Sequence, residues 1–179
     1  MAQAKWHRLK RTKVYASKFV NVYEDTVRLP SGTVIDDYTV VEKPDVVMVV
    51  ATDTQGQLLI LQEYKYAADQ VLYTLPAGHK KATEDVVATA QRELLEETGF
   101  GGGVFHEPIR LYDYPTKDIH QLYVVKASGV ERQKQAEHEE TESIALQRLP
   151  VDVVKQQVAE GKWLGTSAIA ALAVTGILS

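Results

Sequence analysis

Residues 46–52, VVMVVAT, are a continuous apolar run, the pattern of a strand buried on both faces of a sheet. Upstream the pattern is thinner. Val14, Phe19, Val20, Val22, Val27 and Leu29 stand among polar residues over 13–29, Pro30-Ser31-Gly32 marks a hairpin turn, and 33–42 returns as a strand before Pro44. Two or three strands bury little by themselves. This N-terminal β unit, 1–44, is therefore expected to pack on the main domain, 45–179, or on a second subunit. Beyond the apolar run, Asp53-Thr54-Gln55-Gly56 turns the chain into a strand at 58–63, and a short strand at 71–75 leads to Pro76-Ala77-Gly78.

The period then changes. Val87, Ala90 and Leu94 recur at helical spacing and predict a helix over 83–98, with Thr83 as N-cap, Glu84 and Asp85 at the positive end of the dipole, and Gly99 as the stop. Strands are expected at 104–112, 119–127 and 143–149, with the acidic tract 131–142 as an exposed loop. Pro150 opens a helix that stops at Gly161, and Thr166 or Ser167 caps a last, buried helix within the apolar stretch 165–178, too short to span a bilayer. The order, β-rich, then helix, then β, then two helices, implies an α+β fold built as a mixed sandwich. The first half lacks the strand–helix alternation that a doubly wound sheet needs.

The helix over 83–98 gathers charge in a way its own stability does not explain. At about 100° per residue, Glu93, Glu96 and Glu97 fall within an arc of about 100°. Like charges one turn apart repel. A divalent cation with hard oxygen ligands reverses the sign of that energy. Arg92 stands four residues before Glu96 and can restrain it. Gly78 permits close backbone approach, and the free carbonyl of Ala77 is a candidate ligand.

Composition narrows the chemistry. The 179 residues are 45% hydrophobic and 25% charged, enough to bury a real core. A net charge of −4 supplies no basic field for nucleic acid, so no nucleic-acid partner is expected, and no membrane partner either. With no cysteine there are no disulfides, zinc–thiolate sites or thiol nucleophiles, which suits a cytoplasmic protein. The basic N-terminus has no apolar core and is no signal peptide.

Gly78, five residues, Glu84, seven residues, then Arg92, Glu93, Leu94, Leu95, Glu96, Glu97, Thr98, Gly99 and Phe100 resemble the Nudix box at every fixed position. Element order extends the resemblance to Nudix hydrolases over roughly 20–178. It implies a Nudix-type α/β/α sandwich with a mixed central sheet, joined to an N-terminal antiparallel β unit. It also implies two or three Mg²⁺ ions, with Mn²⁺ as a substitute, at the positions of Glu93 and Glu97, with the Ala77 carbonyl and Glu96 assisting. Glu84 takes a salt-bridging part, and Gly78, Arg92 and Gly99 complete the structural box. The catalytic base of such enzymes is a loop glutamate outside the box. By register it falls on Glu140, with Glu142 second and a possible further metal ligand; Glu137 and Glu139 stay as alternatives.

Three flanking features resemble the ADP-ribose pyrophosphatases and nucleoside diphosphate sugar hydrolases of that superfamily. Pro115 lies fifteen residues past Phe100, where those enzymes carry a proline, although Tyr114-Pro115-Thr116-Lys117-Asp118 departs from their usual Ser-Pro-Gly-acidic run. Gln62-Glu63-Tyr64-Lys65 places Lys65 where they carry a phosphate- or ribose-contacting arginine. Glu140, Glu142 and Glu160-Gly161-Lys162 match their C-terminal pattern. Substrate contacts are expected from Lys65, Gly78, Pro115 and Tyr38, with Tyr23, Tyr64, Tyr66 and Tyr112 as other candidates to stack on a base or sugar. The implied function is Mg²⁺-dependent hydrolysis of the diphosphate bond of a nucleotide-sugar substrate to a nucleoside monophosphate and a sugar phosphate. ADP-ribose comes first, with GDP-mannose and ADP-glucose next, and the enzyme is expected to be a homodimer through the N-terminal β unit. The alternatives are a dinucleoside polyphosphate or nucleoside triphosphate hydrolase, or a non-catalytic nucleotide-sensing domain.

Overall fold

The computed structural model describes residues 5–137 and 144–179. It divides into two compact units: the chain up to Pro44 together with Tyr112–Gln121, and the remainder, Asp45–Leu111 with Leu122–Ser179.

The first unit is an antiparallel sheet of β1 (His7–Ala16), β2 (Asn21–Arg28) and β3 (Val34–Glu42), in that order. β1 starts well before the residue 13 that the apolar pattern indicates. Its first half is polar and exposed, so ladder pairing with β2 makes it a strand, and burial contributes little. Arg11 reaches across that ladder and forms two bonds to Asp25, Nε to Oδ1 at 2.7 Å and Nη2 to Oδ2 at 2.6 Å. The guanidinium holds the buried Asp25 carboxyl below the usual range. Between β2 and β3 the Gly32 N–H donates to the Leu29 carbonyl at 2.9 Å, closing the expected turn. Segment Tyr112–Gln121 adds to β3 through Val41 N–H to the Lys117 carbonyl (2.8 Å) and Ile119 N–H to the Val41 carbonyl (3.0 Å). The strand expected at 119–127 accordingly begins only at Leu122.

The second unit holds β4 (Val46–Asp53), β5 (Gln57–Lys65), β6 (Gln70–Thr74), β7 (Ala77–His79), α1 (Val86–Thr98), β8 (Phe100–Gly101), β9 (Val104–Phe105), β10 (Ile109–Leu111), β11 (Leu122–Arg132), β12 (Ile144–Pro150), α2 (Val151–Ala159) and α3 (Thr166–Val174). The sheet runs β10-β11-β4-β5-β12, with β11 and β4 parallel and the other pairs antiparallel, so it is mixed. Alternation along β4 divides the core. Val47, Val49 and Ala51 face Ala90 and Leu94 of α1, while Met48 and Val50 face Val154 of α2 and Ala168, Ala171 and Leu172 of α3. One helix on one face and two on the other make the α/β/α sandwich. Among the described residues, no helix is long and apolar enough to cross a membrane.

Local departures from the expected elements have identifiable causes. Asp85, not Thr83, caps α1, its Oδ1 accepting from the N–H of Val87 (2.8 Å) and Ala88 (3.4 Å). Glu84 therefore precedes the helix instead of lying in its first turn. Gly165 stands at the N-cap of α3, and Thr166 is its first helical residue. The expected strand 104–112 is two short ones, β9 and β10, both on β11. Pro108 lies between them and has no N–H to give to a ladder.

Candidate active site

β4 pairs with β5 at its C-terminal end, Thr52 opposite Leu58, and with β7 at its N-terminal end, from Val46 opposite His79 to Met48 opposite Ala77. This β7 pairing fixes the Ala77–Gly78 backbone beneath α1. Glu97, 7% exposed, accepts the Ala77 N–H on Oε2 at 2.9 Å. A Cβ on Gly78 would stand 2.0 Å from the Glu93 carboxyl carbon. Any side chain there would displace that carboxyl, so it is close approach, and not φ, that calls for the glycine.

Arg92 joins the cluster. Its Nε and Nη2 donate to the two oxygens of Glu84 at 2.9 Å each, its Nη1 to Glu93 (2.6 Å) and Glu96 (3.1 Å), and its Nη2 also to the His79 carbonyl (3.2 Å). Glu93 is 9% exposed, and Glu96 lies more open to solvent. Three carboxylates thus share one guanidinium. Arg92 pulls the Glu84 carboxyl down to about 2, chiefly through their paired hydrogen bonds, and is itself held above its ordinary range by Glu84 first, then Glu93 and Glu96.

That shift has a sign. A carboxyl whose folded value lies below its ordinary value of about 4.3 stabilises the fold above that pH, and the contribution is lost as pH falls toward about 2. Arg92→Met should abolish this component of acid sensitivity and lower stability by about 2 kcal/mol at neutral pH, because three carboxylates lose their donor. Urea unfolding of both proteins from neutral to strongly acidic pH checks it. An unchanged acid slope in Arg92→Met would refute the pairing.

The C-terminal end of α1 is built as tightly. Gly99 has a φ of 74° and its N–H donates to the Leu95 carbonyl at 3.0 Å, closing the helix. Its own carbonyl accepts from the N–H groups of Gln133 (2.8 Å) and Lys134 (3.2 Å), and the Glu137 N–H donates to the Glu96 carbonyl (2.8 Å). The start of the acidic tract is thereby fastened to the turn that carries Glu96 and Glu97. This anchor was not legible in the residue pattern, since backbone groups make it. The Glu137 side chain pairs with Lys134 at 2.9 Å. Glu139, Glu140 and Glu142 lie outside the described residues.

The structure groups Ala77, Gly78, Glu84, Arg92, Glu93, Glu96, Glu97 and Gly99 in the second unit. Lys65 ends β5 there, half exposed, its Nζ 2.6 Å from Glu63. Tyr38 and Pro115 belong to the first unit. The Tyr38 hydroxyl donates to the Thr116 carbonyl, Trp6 meets its ring edge-on, and Lys117 Nζ lies 3.6 Å from its centroid. One ring face is therefore already occupied by a cation. Tyr23, with Arg11 over its ring and its hydroxyl on Glu42, is engaged in the same way.

The donor set tests well against a hard divalent cation: carboxylate oxygens, two of them on buried side chains, beside a backbone approach that excludes any Cβ. Among the described residues no three acidic or histidine side chains already converge in ligating geometry. Arg92 draws Glu93 and Glu96 to itself instead.

Residues 42–166 match the family model for the NUDIX domain. The chain belongs to the NUDIX family. With membership stand the sandwich fold and the expectation of an enzyme, a Nudix pyrophosphatase. Residues 6–41 match a second model, the nucleoside diphosphate sugar hydrolase N-terminal domain. Among curated relatives, a methanol dehydrogenase activator from Bacillus methanolicus is 27% identical over 85% of this chain and 82% of its own. An ADP-ribose pyrophosphatase from Mycobacterium tuberculosis is 27% identical over 95% of this chain and 83% of its own. A solved ADP compounds hydrolase superposes with a TM-score of 0.82 at 21% identity, covering 98% of this chain and 94% of its own, a likeness of Nudix fold.

Proposed function

We propose that this Nudix chain hydrolyses the diphosphate bond of nucleoside diphosphate sugars, ADP-ribose first and GDP-mannose or ADP-glucose next. The observation that carries the reading is the tandem match, a nucleoside diphosphate sugar hydrolase N-terminal domain followed by a NUDIX domain with every box position filled. Glu93 and Glu97, with Glu96 and the Ala77 carbonyl, would hold Mg²⁺ or Mn²⁺. When bound, such ions neutralise charge developing on the diphosphate and its leaving phosphate. Arg92 restrains Glu93 and Glu96, and the Ala77 N–H orients Glu97. Glu140, or Glu142, is the assigned base: it takes a proton from the attacking water as oxygen bonds to one phosphorus and the bridging P–O bond breaks. Nucleoside monophosphate and sugar phosphate leave.

The protein works, in this reading, as a cytoplasmic homodimer through the N-terminal β unit. Supporting it, Lys5, Arg8, Lys10, Arg11, Lys13 and Lys18 gather with no acidic residue before Glu24, in a chain whose net charge is −4. Four of them, Arg8, Lys10, Arg11 and Lys13, lie on β1, whose charge would complement the acidic remainder of a second copy. Light scattering should return twice the chain mass, falling to one on truncation of β1.

The deciding experiment offers purified protein ADP-ribose, GDP-mannose, ADP-glucose, a nucleoside triphosphate and a dinucleoside tetraphosphate, with Mg²⁺, Mn²⁺ or chelator, and separates products chromatographically. One nucleotide sugar should exceed the triphosphate in kcat/KM by at least about tenfold. Equal or better turnover of the triphosphate or the dinucleotide would overturn the substrate class.

A further inference from the structure

The chain leaving β11 follows the end of α1 before it enters the acidic tract. Gly101 pairs with Glu131 and Phe100 with Arg132. Past the strand the same course continues, the Gly99 carbonyl taking the N–H groups of Gln133 and Lys134, and the Glu96 carbonyl that of Glu137. The last four carbonyls of a helix have no partner within it. Here one of them, on the turn that carries Glu96 and Glu97, is capped by a segment far along the chain. The approach is close. A Cβ on Gly99 would stand 2.3 Å from the Lys134 carbonyl oxygen, and one on Gly101 2.7 Å from Gln133 Oε1. The side-chain pair Lys134–Glu137 is exposed and adds little, so backbone bonds carry the attachment. All of these residues belong to the second unit.

We propose that Gln133–Glu137 is a positioning strap for the hydrolytic step. It fixes, beside Glu96 and Glu97, the point from which the chain departs toward the assigned base. The proposal rests on the reading of this chain as a nucleotide-sugar hydrolase whose base is Glu140 or Glu142. Glu140 stands three residues beyond Glu137 in sequence, and three residues span at most about 11 Å. The strap thus limits how far that carboxylate can stray from the carboxylates of α1. A general base must reach its water at hydrogen-bond distance, and a misplacement of about 1 Å can cost about 10²-fold in rate. The strap acts through the base and not on the substrate, so its effect falls on kcat.

Two glycines inserted after Glu137 test it, because they leave every anchor in place and lengthen only the chain beyond. With the nucleotide sugar that the unmodified protein turns over best, kcat should fall about 10- to 10²-fold. KM and the calorimetric Mn²⁺ affinity should stay unchanged, and the Gln133 and Glu137 amides should remain slow in hydrogen exchange. Glu137→Pro, which removes the N–H held by Glu96, should lower kcat in the same way, again with KM and Mn²⁺ affinity unchanged. Lys134→Ala, which drops the ion pair and keeps the N–H, should hold kcat within about twofold. Full kcat in both the insertion variant and Glu137→Pro would overturn the strap while leaving the substrate reading intact. A loss of Mn²⁺ affinity equal to the loss of kcat would overturn it too, since the damage would then lie in α1. Failure of the unmodified protein to hydrolyse any nucleotide sugar would overturn the underlying reading, and the strap with it.

Discussion

Glu97→Gln should lower kcat for a nucleoside diphosphate sugar about 10³-fold, near 4 kcal/mol of lost transition-state stabilisation, while the protein stays folded. Glu97 is buried, and its Oε2 accepts the Ala77 N–H at 2.9 Å. Glutamine has the same shape and can turn its amide oxygen to Ala77, so the bond survives while the charge is lost. Glu97→Ala would instead leave that N–H without its acceptor and confound function with stability. Two measurements are needed: steady-state turnover with Mg²⁺, and calorimetric titration of Mn²⁺ into metal-free protein, where affinity should fall at least about tenfold. Full hydrolysis by Glu97→Gln would remove Glu97 from the ligand set. Glu93→Gln is less clean, because Glu93 also receives Arg92 at 2.6 Å.

Gly78→Ala should cost activity about 10²-fold and stability only about 1 kcal/mol. The added Cβ would meet the carbon and both oxygens of the Glu93 carboxyl at 2.0, 2.1 and 2.2 Å. One side must yield. Gly78 is held in β7 opposite Val47, in the middle of a ladder, whereas the Glu93 carboxyl is the tip of a flexible side chain. The carboxyl therefore swings away and the fold remains. Thermal melting alongside kcat and Mn²⁺ affinity separates the two effects. Wild-type turnover with unchanged affinity would mean that Glu93 does its work from another position.

Much of the architecture was legible from local periodicity. The run VVMVVAT is buried on both faces because its alternating residues meet α1 on one side and α2 and α3 on the other. The box spacing placed Arg92 where one turn of helix brings it to Glu96, and the 3.1 Å contact is that geometry. Periodicity missed what pairing decides. The first half of β1 carries no apolar stripe, Pro108 divides one expected strand in two, and Asp85 displaces Thr83 as the cap because its oxygen reaches two free N–H groups.

The chain alone determines which residues share the carboxylate face of α1, because that depends only on helical rise and a glycine stop. Only the tertiary structure decides what those residues touch. Glu84 meets Arg92 across eight positions of sequence, Ala77 meets Glu97 across twenty, and Glu137 meets the Glu96 carbonyl far beyond any helical period. The Ala77–Glu97 contact exists because β7 pairs with β4 and carries the box glycine under the helix, and the Glu137–Glu96 contact because the chain after β11 bonds to Gly99, consequences of pairing between distant segments that no local spacing encodes.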